Sequence, residues 1–187
     1  MHTHHYLQRY LLHPAVANSA KSTKQAAAVL VPIIAQPGQT EQLVLTQRSA
    51  QLRHHPSEIS FPGGKYDSTD HNLQHTALRE TEEEIGINPK LFTILGQLPQ
   101  LNTVSNFSVS PFIATAKQDL AFKINDNEVA QVIVLPLQPF LSLSNYQGYR
   151  FYRKGRVKQV YFIEVEKHVI WGATAQILYN LASHCCG

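Results

Sequence analysis

Residues 26–34 form a near-continuous apolar run rich in valine and isoleucine, the composition of a strand buried on both faces. A Gln36-Pro37-Gly38-Gln39 turn ends it, and residues 41–48 then alternate well enough to be its partner in a hairpin. Polar and charged residues over 51–57 predict a loop. Residues 71–85 contain neither Pro nor Gly, Asp70 is a good N-cap, and Gly86 is suited to a left-handed stop, so the principal helix is predicted there. Residues 92–98, 109–116, 129–135 and 157–165 read as strands, while apolar positions over 169–182 return at helical spacing. The first 20 or so residues are expected to form a peripheral helix, at 6–12, or to be partly disordered. The order of strands, helix, strands, helix implies one α/β domain over 1–187 with a mixed sheet between helices. Its alternation is too irregular for a doubly wound parallel sheet.

Composition narrows the partners. Of the 187 residues, 43% are hydrophobic and 16% charged, a globular balance, and no apolar run reaches the roughly 20 residues of a membrane span. The opening residues lack the apolar core of a secretory signal, so cytoplasmic residence is expected. Two adjacent cysteines, Cys185 and Cys186, cannot staple a fold and are expected to be thiols. Sixteen Lys+Arg against 13 Asp+Glu leave a net charge of +3. That mild excess suits an anionic small molecule, and neither nucleic acid nor membrane is expected as a partner. The histidines of the first five residues are assigned no role.

The chemistry concentrates in Arg79-Glu80-Thr81-Glu82-Glu83-Glu84-Ile85-Gly86-Ile87, four carboxylates in five residues before a helix-ending glycine. At 3.6 residues per turn Glu80, Glu83 and Glu84 fall within about 100° of one face, while Leu78, Thr81 and Ile85 share a neighbouring apolar one. Like charges at this spacing repel, and acids at a helix C-terminus oppose its dipole. Arg79 cannot neutralise three carboxylates alone, whereas a hard divalent cation such as Mg²⁺ or Mn²⁺ would do so through oxygen ligands. A solvated acidic face would explain the charge run by itself. Ser60-Phe61-Pro62-Gly63-Gly64-Lys65 shifts the balance, because its glycine pair permits an unusual turn able to meet phosphate or metal.

Gly63-Gly64 through Ile87 resembles the Nudix box, which implies a Nudix-type α/β/α sandwich. The resemblance implies that Glu80, Glu83 and Glu84 serve as metal ligands or base, with Arg79 orienting them. Asp70 stands where the usual box has glutamate, one residue further from the arginine, and Thr81 occupies a usually apolar position. The opening Gly63-Gly64-Lys65-Tyr66-Asp67-Ser68-Thr69-Asp70 is similar to that of the coenzyme A diphosphatase branch. So are Leu45-Thr46-Gln47-Arg48-Ser49, Arg53 and Glu58 to Gly64, except that Ser57 replaces an expected glycine. Asp67 and Asp70 are expected to organise the loop and cap the helix.

The activity implied is metal-dependent cleavage of the coenzyme A diphosphate, with acyl forms included, to 3′,5′-ADP and 4′-phosphopantetheine. Arg48 or Arg53 would clamp a phosphate, Gly63 and Gly64 would line the substrate, and Glu80, Glu84 or Glu128 would be the base. Polar groups and Phe107 within 102–111 are further candidates for the pocket. The reading allows a homodimer. Alternatives are a Nudix hydrolase of ADP-ribose or NADH and a non-hydrolytic Nudix sensor, which has no need of the intact carboxylate set. A diphosphate isomerase would want a cysteine nearer the middle of the chain, and a Ser-His-Asp hydrolase a G-x-S-x-G elbow that is missing.

Overall fold

A computed structural model describes residues 24–52, 55–153 and 155–186. The segment expected to be helical at 6–12 lies outside them. The chain runs β1 (Gln25–Ile34), β2 (Gln42–Arg48), β3 (Ile59–Ser60), β4 (Gly63–Lys65), α1 (Leu73–Ile85), β5 (Thr93–Gln97), β6 (Leu101–Asn102), β7 (Phe107–Ala116), β8 (Val129–Pro136), β9 (Tyr146–Arg153), β10 (Arg156–Val165), β11 (His168–Trp171) and α2 (Gly172–Cys186). Among the described residues no helix is long and apolar enough to cross a membrane.

The central sheet is mixed: β1 runs parallel to β7 over its whole length, and every other pairing is antiparallel. The expected hairpin forms, but β1 and β2 pair only at Ile33 with Leu43 and Ile34 with Gln42. Beyond that point they part, and residues 59–65 enter the fork, β3 on β2 and β4 on β1. Pro32 stands where the strands separate. Leu30, two residues earlier, donates its N–H to the Pro62 carbonyl (2.9 Å), so the N–H that Pro32 lacks would have pointed into the fork.

Alternation along β1 sorts the two layers. Ala28 and Leu30 pack with Phe112, Ala114 and Ala77 of α1 on one face. Ala27, Val31 and Ile33 pack with Ala175, Leu178 and Leu181 of α2 on the other. Each fully buried Leu or Ile contributes about 1.5–3 kcal/mol of hydrophobic stabilisation, so both helices are fixed by the strand between them. The mixed sheet between two helices is the architecture expected.

Three elements differ from expectation. The N-cap of α1 is Asn72, whose Oδ1 accepts from the His75 N–H (2.8 Å), so the helix starts two residues late. Residues 168–171 extend β10 as β11, because β-branched Val169 and Ile170 pair with Glu164 and Ile163; the second helix begins only at Gly172, where φ is 68°. Residues 146–153 form the unforeseen β9. Their aromatic and charged residues follow no period of two, since beyond Tyr146 the strand buries neither face. In this smaller sheet Tyr161 stacks on Tyr179 of α2 (4.0 Å between ring centres), while Tyr149 and Phe162 meet edge to face on the opposite side.

Candidate active site

The carboxylate segment occupies the last two turns of α1. Gly86 ends the helix at φ 71° and donates its N–H to the Glu82 carbonyl (2.8 Å). A side chain there would also collide with the Lys123 backbone, so both conformation and space require glycine. Thr81, at the usually apolar position, is fully buried and donates its hydroxyl to the Ala77 carbonyl (2.7 Å), which satisfies it without a partner outside the helix.

Wedged in the fork, β4 presents its glycines to this helix. Gly63 has a φ of 153°, and a Cβ there would strike the backbone of Ala28 and Val29. A Cβ on Gly64 would fall on the carboxylate of Glu80. The glycine pair therefore lets a strand edge approach two glutamates closely, and the Gly63 N–H donates to Glu84 Oε2 (3.3 Å).

Arg79 gathers the charges on the outer side. Its Nε and one terminal nitrogen donate to the two oxygens of Asp70 (2.9 and 3.0 Å), while further contacts reach Glu80 (3.0 Å), Glu83 (3.0 Å) and the Lys65 carbonyl (3.3 Å). Asp70 is thus the counterion of Arg79 and not a helix cap. Thr76, His75 and the Asp67 N–H also bond it. The guanidinium holds the Asp70 carboxyl well below the usual carboxylate range, and Asp70 in turn raises the pKa of Arg79.

Glu84 sits differently. It is 3% exposed, and the Gly63 amide gives its side chain the one hydrogen bond found among the described residues. Burial pushes its pKa up to about 8, opposed by Gly63 and Arg48 and reinforced by the charges of Glu80 and Glu128. Burial likewise raises the pKa of Glu80, against the pull of Arg79. The Arg48 Nε is buried and has no hydrogen-bond partner among the described residues. Four of the expected residues, Arg48, Glu80, Glu84 and Glu128, therefore share one electrostatic neighbourhood beside Gly63 and Gly64. The Phe107 ring lies 5.5 Å from Lys65 Nζ, at the end of β4. Arg53 lies outside the described residues.

What brings Glu128 here is a loop that caps the helix. The N–H groups of Lys123 and Asn125 donate to the Ile85 and Glu84 carbonyls (both 2.9 Å), satisfying acceptors that a helix end leaves open. The Glu128 and Val129 amides both donate to the Asn125 carbonyl (2.9 Å each), and the Glu128 carbonyl accepts from Ser49 (2.8 Å). No side-chain motif marks this arrangement, so sequence reasoning could not find it.

The donor set fits a hard divalent cation: carboxylate oxygens only, one of them buried with little to stabilise its charge. Among the described residues no three Asp, Glu, His or Cys side chains are grouped as they would be around an ion. Glu83 is turned to Arg79 and mostly exposed, while Glu80 and Glu84 face the glycine strand.

The chain matches the family model for the NUDIX domain over residues 24–155. It is 38% identical over 181 residues to an uncharacterized Nudix hydrolase NudL of Salmonella heidelberg, covering 95% of this chain and 92% of the relative. The NudL of Salmonella paratyphi A matches equally. Among solved structures it resembles the Nudix hydrolase RenU of M. smegmatis (TM-score 0.53, 21% identity, 62% of this chain and 73% of that one). It also resembles an Ap4A hydrolase of C. elegans in a binary complex (TM-score 0.52, 24% identity, 60% and 80%). These two likenesses concern the fold. The matched domain spans the glycine fork and the carboxylate helix together, and the chain belongs to the Nudix hydrolase family.

Proposed function

We propose that this Nudix hydrolase cuts the diphosphate of coenzyme A, and of its acyl thioesters, with Mg²⁺ or Mn²⁺ held by Glu80, Glu84 and Glu83. The observation that carries the reading is the buried, poorly partnered carboxylate of Glu84, flanked by Glu80 and Glu128 at a glycine-lined strand edge. A bound cation would neutralise the diphosphate and acidify a water. Arg79 orients Glu80 through its ion pair, and Glu83, now paired with the same guanidinium, would have to leave it to serve as a ligand. Glu128, on its separate loop, is the carboxylate left to take the proton as the water oxygen bonds to phosphorus and the P–O–P bridge opens.

Coenzyme A is favoured among diphosphates because residues 45–64 resemble the diphosphatase signature and two residues of that segment adjoin this cluster. Arg48 and Gly63 from that segment both act on Glu84. Arg48 and Arg53 would steady the phosphates.

With Mg²⁺ or Mn²⁺ the protein should release 3′,5′-ADP from coenzyme A faster than it cleaves ADP-ribose or NADH at equal concentration, and EDTA should abolish turnover. Cleavage of ADP-ribose with coenzyme A untouched would move the substrate elsewhere and leave the metal chemistry standing. Tight binding without cleavage of any diphosphate would favour a non-hydrolytic sensor.

A further inference from the structure

The β9–β10 hairpin has surface chemistry that diphosphate hydrolysis does not use. Residues 147–152 and 157–159 are exposed, so the distal hairpin has both faces in water. Such a ribbon should be polar on both sides, yet Tyr149 is 60% exposed, Tyr152 75% and Val157 66%, with Phe151 also open. The register assigns these residues to opposite faces. Phe151 lies opposite Lys158, with Tyr149 two residues along the same side, whereas Tyr152 lies opposite Val157 on the other, shared with Arg150 and Gln159. Each face therefore combines apolar side chains with a basic one.

Charge separates the candidate occupants. In sequence, residues 146–163 carry Arg150, Arg153, Lys154, Arg156 and Lys158 and no Asp or Glu. A second copy paired along the β9 edge would set this positive strand against itself. A single strand of nucleic acid would stack on one aromatic face and leave the other unexplained. An anionic lipid surface accounts for both faces at once: the exposed residues of the two strands enter the interface, tyrosines rest at headgroup level, and Arg150 and Lys158, one on each face, meet lipid phosphates. We infer that the β9–β10 hairpin docks the enzyme reversibly on anionic membrane surfaces by shallow insertion of Phe151, Tyr152 and Val157.

The test uses the full chain and sedimentation with vesicles of phosphatidylcholine containing about one quarter phosphatidylglycerol, compared with pure phosphatidylcholine. Wild type should sediment with the anionic vesicles, and the bound fraction should fall about tenfold or more on pure phosphatidylcholine or in about 1 M salt, where screening shortens to about 3 Å. The charge-neutral pair Tyr152→Ser/Val157→Ser should weaken binding about tenfold, and Arg150→Glu/Lys158→Glu should abolish it. Both variants should keep the thermal midpoint and the turnover of a soluble substrate. The idea is overturned if wild type ignores anionic vesicles, if the serine pair binds them unchanged, if a single-stranded oligonucleotide binds in their place, or if wild type is a dimer that these substitutions split.

Discussion

Two buried carboxylates, Asp70 before the helix and Glu84 near its end, are equally secluded at 3% exposure and opposite in state. Asp70 makes five polar contacts, two of them to one guanidinium, and its charge is held far below its ordinary pKa. Glu84 receives one long hydrogen bond, and its pKa rises to about 8. Seclusion does not decide whether a carboxylate stabilises a fold; the partners do. The first carboxylate is completed by its partners, and the second is left with little to stabilise its charge.

The sharpest way to break this contrast is Glu84→Gln, which keeps an acceptor for the Gly63 amide and removes the charge. Diphosphate turnover should fall on the order of 10³-fold if Glu84 is the charged metal ligand proposed above. Stability should move the other way. Folding raises this pKa from about 4.3 to about 8, so ionisation of Glu84 opposes folding; the penalty is absent below about pH 4, grows as pH rises, and is complete above about pH 8. Without divalent cations the Gln variant should therefore melt higher than wild type at pH 8 and above, with the gap closing toward pH 5. Equal melting at every pH would show that Glu84 already has its counter-charge.

Asp70→Asn should do the reverse. It leaves Arg79 half-served, at a cost of about 3 kcal/mol read from denaturant unfolding, while turnover falls less than in the Glu84 variant. Asp70 has its pKa lowered on folding, so its contribution is present above its unfolded value of about 3.9 and is lost as pH falls toward the depressed native value. The Asn variant should thus lose less stability than wild type on going below pH 4. The smallest effect concerns Ser57, held at φ 61° where the resembling signature has glycine. Ser57→Gly should stabilise by about 0.5–1 kcal/mol in thermal unfolding, by relieving a left-handed serine.

The parts of this molecule legible from sequence are those whose cause is local. The valine-rich β1, the glycine stop at Gly86 and the spacing of Glu80, Glu83 and Glu84 all sit within one element, so periodicity and resemblance reach them. Asp70 is not decided locally, because an aspartate before a helix serves equally as a cap or as a counterion, and only the return of Arg79 from nine residues on settles which. β9 carries no pattern to read, because its exposed aromatics obey no burial period. The fork between β1 and β2 has no residue signature beyond Pro32, since it depends on which strand arrives between them.

The amides of Lys123 and Asn125 that close the end of α1 also tie Glu84 and Glu128, the proposed ligand and base, into one opening unit. Fraying of the last helical turn must release these two amides, and with them the loop that anchors Glu128, so the backbone at Glu84 and at Glu128 should exchange with deuterated solvent on a shared timescale. An ion that drew Glu84 inward would slow both, and the loop would register occupancy of a site it does not itself ligate.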